Sequence, residues 1–201
     1  QSLRGLGALA YMNGDTAKAR KLIEEAIAIS RRSGDRFGLA ASLGRLGDIA
    51  QADHDLIASC SLTGEALAIF RELGYKEGIS AKLNNLGATV FLLGEHERAE
   101  EHFREALSTA IDLGEKINTR LIFDGFAALA AERGDFVRAA RLSGVAEGLG
   151  ASIGYAVEPA EAIFREVYLG KLRSRLSDEI FNAEREAGRK LTLEQATELT
   201  G

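Results

Sequence analysis

A period of forty residues runs through most of this chain. Shifted by that length, Leu86-Gly87 falls on Leu6-Gly7 and Leu46-Gly47, with Phe126-Ala127 as a worn fourth copy. Gly94 before an acidic residue recurs as Gly14-Asp15 and Gly134-Asp135, and the second copy places His54-Asp55 there. Ala106 falls on Ala26, Ala66 and Ala146, and Gly114 on Gly34, Gly74 and Gly154. Registers that agree on so many small residues mark a repeated supersecondary unit, which cannot bury its apolar face alone and must stack on its copies.

Each unit reads as two helices. Leu83, Leu86, Gly87 and Val90 share one face of a 3.6-residue period, and Ala99, Phe103 and Ala106 repeat that spacing after the glycine–acid break. Asp15 and Asp135 stand where a helix N-cap is wanted. The register predicts helices over 1–12 and 16–33, 36–52 and 55–73, 75–93 and 95–113, 115–133 and 136–149. Gly144, Gly148 and Gly150 disfavour the last of these by about 1 kcal/mol each relative to alanine, so it should be short or closely packed on a neighbour. The repeat is lost after Gly154. There Pro159 opens a helix with Phe164, Tyr168, Leu172 and Leu176 on one stripe, Ser177 starts another, and Thr192 to Gln195 has capping-box spacing before a third. Two domains are expected: four repeats over 1–154, the first short at its start, and a helical cap over 155–201 that covers the exposed end of the stack.

The pattern large-x-x-Leu-Gly/Ala-x-x-apolar, then Gly, then Ala-x-x-x-large-x-x-Ala resembles the tetratricopeptide repeat. Its usual unit is about 34 residues. The longer unit here resembles the subclass that includes kinesin light chains and the sensor region of the maltose-regulon activator. The resemblance implies an all-α, right-handed α-solenoid of antiparallel helix pairs, ended by capping helices, that captures a protein or peptide in its concave groove. It also implies which residues line that groove: Arg4, Ala8 and Tyr11; Gly44, Asp48 and Gln51; Asn84, Ala88 and Phe91; Asp124, Ala128 and Ala131. Of these, Arg4, Tyr11, Asp48, Gln51, Asn84, Phe91 and Asp124 are the candidate binding residues. Asn84 would serve an extended backbone, as the LNNLG match to kinesin light chains also implies, and Tyr11 and Phe91 either form apolar pockets or pack between adjacent helices. Asp48 and Asp124 would repel a C-terminal carboxylate, which favours a basic or amide-rich partner.

A second resemblance covers residues 121–201. AERGDFVRAARLSGVAE over Ala131–Glu147, then Glu158-Pro159-Ala160-Glu161 and the run from Gly188 to Ala196, is similar to the C-terminal end of large bacterial signalling regulators. Those proteins place a P-loop signal-transduction ATPase before a repeat region and carry a LuxR-type or winged-helix DNA-binding domain, a cyclase or a kinase. With a first helix that has no starting methionine, the resemblance leads us to expect the sensor arm of such a regulator, with ATPase or output domains preceding Gln1. A free-standing adaptor, with a second copy of the chain as a further partner, is the alternative.

Chemistry finds little foothold. A net charge of −5 supplies no basic stripe for nucleic acid, and no apolar run approaches the length of a membrane span. Cys60 is the single cysteine, so no disulfide can form within the chain and a reducing, cytoplasmic setting is expected. It also has no histidine in its own helix to activate it. Asp53-His54-Asp55 offers ligand types on diverging sides of a turn, and His96 and His102 miss the spacing that puts two imidazoles on one face. Gly5-Leu6-Gly7 and Gly148-Leu149-Gly150 complete no phosphate-binding loop. No cofactor, metal or catalytic residue is expected, and Glu100 is placed on an outer, solvated face.

Overall fold

The computed structural model describes residues 2–201, and among these every regular element is a helix. The first eight helices are α1 Leu3–Met12, α2 Thr16–Ser33, α3 Arg36–Ala52, α4 Leu56–Leu73, α5 Lys76–Leu92, α6 His96–Leu113, α7 Lys116–Glu132 and α8 Phe136–Ser152. The period is visible in their bounds: α3, α5 and α7 start forty residues apart, as do α2 and its later counterparts α4, α6 and α8. Gln1, included in the expected first helix, lies outside the described residues; Ser2 caps α1, its hydroxyl accepting from the Gly5 N–H.

Two left-handed turns per unit set the geometry. Gly14, Gly94 and Gly134 have φ near +80°, and His54 is forced to φ +63° at the same position in the second unit. Between units the positive-φ residues are Gly34, Gly74, Gly114 and Gly154. Asp15, Asp35, Asp55 and Asp135 then cap the helices that follow, each carboxylate accepting from the N–H three residues on. Carboxylates suit that end, where the helix dipole is positive.

Helices pair as α1 with α2, α3 with α4, α5 with α6 and α7 with α8, and successive pairs stack with α1, α3, α5 and α7 forming a common inner layer. The stripes read from the sequence are the ones buried: Leu83, Val90, Ala99, Phe103 and Ala106 are at most 1% exposed. Close pairing needs small residues. A Cβ on Gly7 would collide with Ile23, one on Gly47 with Thr63, and one on Gly87 with Phe103. In the fourth unit the large member of this pair shrinks to Ser143, and the glycine is replaced by Ala127. The worn copy is therefore a compensated one.

Three helices follow: α9 Pro159–Arg175, α10 Asp178–Arg189 and α11 Leu193–Glu198. Ser177 and Thr192 cap the last two, Thr192 with a complete capping box. The helices of 155–201 divide between two surfaces. α10 packs on α8, so closely that Gly144 and Gly188 face backbone across the interface. α8 runs on to Ser152, beyond its expected end, because the α10 backbone occupies the room its glycines leave. α9, by contrast, lies across the inner layer and contacts α3, α7 and α8. Its face explains this: Phe164 and Tyr168 share a side with Glu161 and Arg165, a mixture that suits a polar-and-aromatic wall better than an apolar end.

One further expectation changes. Glu100 is clamped between Arg104 and Arg133 and is held below the usual carboxylate range, first by the hydrogen bond from Arg133. His96 is tilted against the Phe91 ring with 5.0 Å between centroids, and His102 is half-buried.

Candidate functional site

The concave wall carries most of the candidate residues, and α9 lies on it. Tyr11 is fully buried; its hydroxyl accepts from the Ala160 N–H at 2.8 Å and donates to the Asp48 carbonyl at 3.4 Å. The free N–H at the start of a helix needs such an acceptor. Arg45 lies over the Tyr11 ring and pairs with both Asp48 and Glu158, tying α3 to the residue that precedes α9. Phe91 meets Phe164 edge-on at 5.5 Å between centroids, a favoured aromatic geometry. Tyr11 and Phe91 thus pack against α9.

Asp124 is 1% exposed and sits at the centre of an ionic network. Arg120 and Arg165 approach it at 3.2 and 3.3 Å, and the Tyr168 hydroxyl donates to it. Arg120, itself 2% exposed, also pairs with Glu161 of α9 and stacks on the Tyr155 ring. Arg165 reaches Glu147 of α8, which also accepts from Arg185 and Arg189 of α10. Burial raises the Asp124 carboxyl above its usual range despite both arginines, and pushes Glu161 up to about 7. Burial likewise disfavours ionised Glu147, but hydrogen bonds from Arg185 and Arg189 hold it below the usual range. A buried pair gains less from attraction than isolation suggests, because each ion has lost its water.

The other candidates divide. Gln51 is buried and accepts from Thr89 Oγ1, which is 3.1 Å from Ser59 Oγ, so it belongs to a polar link among α3, α4 and α5. Asp48 is half-buried and accepts from Asn85 Nδ2 at 2.6 Å, with Lys82 Nζ at 3.9 Å. Asn84 is buried and neighbours Asp48 and Asp124 across the wall. Arg4 is half-buried and sits apart, near Ser2, Ala8 and Ala41 at the start of the stack. Sequence reasoning missed Arg120, Arg165, Glu158, Glu161 and Tyr168. The readable signal was the spacing of Glu161, Arg165 and Tyr168, which puts two charges on the face of α9 that carries its aromatics.

Among the described residues, no three His, Cys, Asp or Glu side chains gather as a metal site would require. Cys60 is half-buried, and burial raises its thiol above the usual range, so it is a poorer nucleophile than a free thiol. No helix among the described residues is long and apolar enough to cross a membrane.

Stacked helix pairs around a walled concave face define an α-solenoid of the protein-interaction type. The family model for the tetratricopeptide repeat matches residues 1–72 and 38–112, more than half of the 201-residue chain, and the chain belongs to that family. No curated protein matches it.

Proposed function

We propose that this chain is the partner-binding arm of a multidomain bacterial signalling or transcriptional regulator, acting in the cytoplasm, and that its concave wall is the working surface. The observation that carries the reading is the seat of α9: a wall assembled from α1, α3, α5 and α7 already holds a helix through Tyr11, Phe91 and Asp124. The division into repeats over 1–154 and a following segment over 155–201 then has a use, because α9, the first helix of the second part, is an internal occupant of the first. A partner segment with donors for Asp48 and Asp124 and an aromatic anchor for Phe91 would compete with α9. The competition is feasible because the α9 interface is rich in charge, and buried charges are held at a desolvation cost.

Loosening α9 tests this directly. In a Tyr168→Ala, Arg165→Ala variant, a labelled peptide of residues 157–176 added in trans should bind the wall, whereas wild type should bind it at least tenfold more weakly. Absence of binding to both, with the repeats still folded by circular dichroism, would refute the wall as a helix-binding surface. The parent is tested separately by the reading frame upstream of Gln1, where an ATPase and an output domain are expected. A start within a helix or two of Gln1 would leave the adaptor reading.

A further inference from the structure

The two ends of the stack differ. At the last, α10 covers α8 and leaves Glu179, Asn182, Glu186 and Lys190 exposed. At the first, α1 and α2 border a groove of about 280 Å³ lined by Leu6, Leu9 and Leu22, with Lys18 beside them. Leu9 is 57% exposed and Ile29 41%. Forty residues on, Ile49 and Ile69 stand at the same places, 0% and 4% exposed, because the unit before them covers that face. The first unit thus keeps the apolar surface of a helix interface, and no helix among the described residues lies on it.

Apolar surface alone does not name its occupant, but the charges around it do. Lys18, Leu22, Glu25 and Ile29 fall at i, i+4, i+7 and i+11, one stripe of α2. Glu25 is in register with Glu65 and Glu105, which pair with Arg31 and Arg71 of the unit before each. Glu25 and Lys18 are both exposed, and among the described residues neither forms an ion pair. The stripe therefore carries one acid and one base at equal distances, to within a residue, from Leu22. A stripe of that kind complements itself when two copies run antiparallel.

We propose that the α1–α2 face docks a second copy of this chain, closing a two-fold dimer with a four-helix bundle at its centre. Gly7 lies against Ile23, which sets Leu22 level with Gly7 and Ala8. A two-fold axis crossing both helices at that level puts Leu22 against its own copy and Lys18 against Glu25 of the second copy. The same axis puts Leu6 against Leu9 of the second copy, so one operation satisfies α1 and α2 together. The charged end of the stack cannot reciprocate an apolar face, so the contact is isologous and stops at two copies. Two short helices make a small interface, and the dimer forms in the micromolar range. The concave wall and α9 take no part in it.

Sedimentation velocity on the whole chain tests this, over a concentration range from about 1 to about 200 μM. Wild type should pass from monomer to dimer and form no larger species. Lys18→Glu and Glu25→Lys should each weaken the dimer at least about tenfold, because each sets like charges against one another at two places. The two single variants, mixed, should pair with each other, and the double variant should regain the wild-type affinity. Leu9→Glu should remain a monomer throughout. These side chains are exposed, so circular-dichroism spectra should not change. A wild type that stays monomeric leaves the face to a helix of some other protein and overturns the proposal. Continued growth past the dimer, single variants that pair like wild type, or a double variant as weak as the singles would overturn it as well.

Discussion

Replacing Gly144 by alanine should detach α10 from α8, although the same change in an open helix would be stabilising. A Cβ at Gly144 would lie 2.8 Å from both the Cα and the carbonyl carbon of Arg185, and closer still to its oxygen. Ordinary contact begins at 3.4 Å and the oxygen is the nearest atom, so α10 must retreat by more than about 1 Å. A gap of about 0.5–1 Å forfeits a quarter to a half of each van der Waals contact along the seam. The obstacle is backbone in both helices, so no rotamer change relieves it. Overpacking of this kind costs about 1–3 kcal/mol, against a gain of about 1 kcal/mol from helix propensity. Gly188→Ala attacks the same seam from the other side, where the new Cβ would be 2.8 Å from the Arg141 carbonyl carbon. Gly170→Ala is the control, since nothing lies within 4 Å of its added Cβ on the exposed side of α9. Thermal melts should show Gly144→Ala and Gly188→Ala below wild type and Gly170→Ala above it. The double variant should cost less than the sum, because one retreat relieves both clashes. Hydrogen exchange should quicken first in α10. If Gly144→Ala and Gly170→Ala shift the melt alike, the helices do not meet at their backbones and the packing argument fails.

Four further outcomes follow from named positions. His54→Gly should stabilise the chain by about 0.5–1 kcal/mol in a denaturant melt, because it removes a left-handed side chain from a turn that its sister units build with glycine. Glu161 has a folded pKa of about 7 against an ordinary 4.5, so the unfolded chain gives up this proton first as pH rises. Its contribution to stability is therefore greatest below pH 4.5, falls between 4.5 and about 7 by at most about 3 kcal/mol, and is level above that. Melts of Glu161→Gln should lack that fall, and parallel pH profiles for variant and wild type would contradict it. Ala106→Leu should cost about 1–3 kcal/mol, since Ala106 is fully buried and its carbonyl accepts from Ser80 Oγ at 3.0 Å. Glu100→Gln, which weakens two arginine contacts at a half-buried carboxylate, should cost up to about 1 kcal/mol, more than an open surface charge would.

The sequence by itself determined the repeat, the helix bounds within about three residues, both turns of each unit and the faces on which the pairs meet. These are local or nearest-neighbour matters. A glycine before an aspartate fixes a turn and its cap whatever lies beyond, and contacts that recur every forty residues leave a period that can be read. Even the irregular copies obey it: His54 keeps the left-handed turn, and Ala127 gains a methyl where Ser143 has given up volume. Tertiary structure alone decided where α9 goes. Its stripe of Phe164, Tyr168 and Leu172 reads as one apolar face, and nothing in that spacing says which surface the face will meet. The choice rests on groups brought together only by the finished stack, such as Tyr11 and the Ala160 N–H, 149 residues apart, or Arg120 between Asp124 and Glu161. α9 has no copy elsewhere in the chain, so no period records its partner. A charged helix finds its seat by the shape and charge of a wall that does not exist until the repeats have stacked.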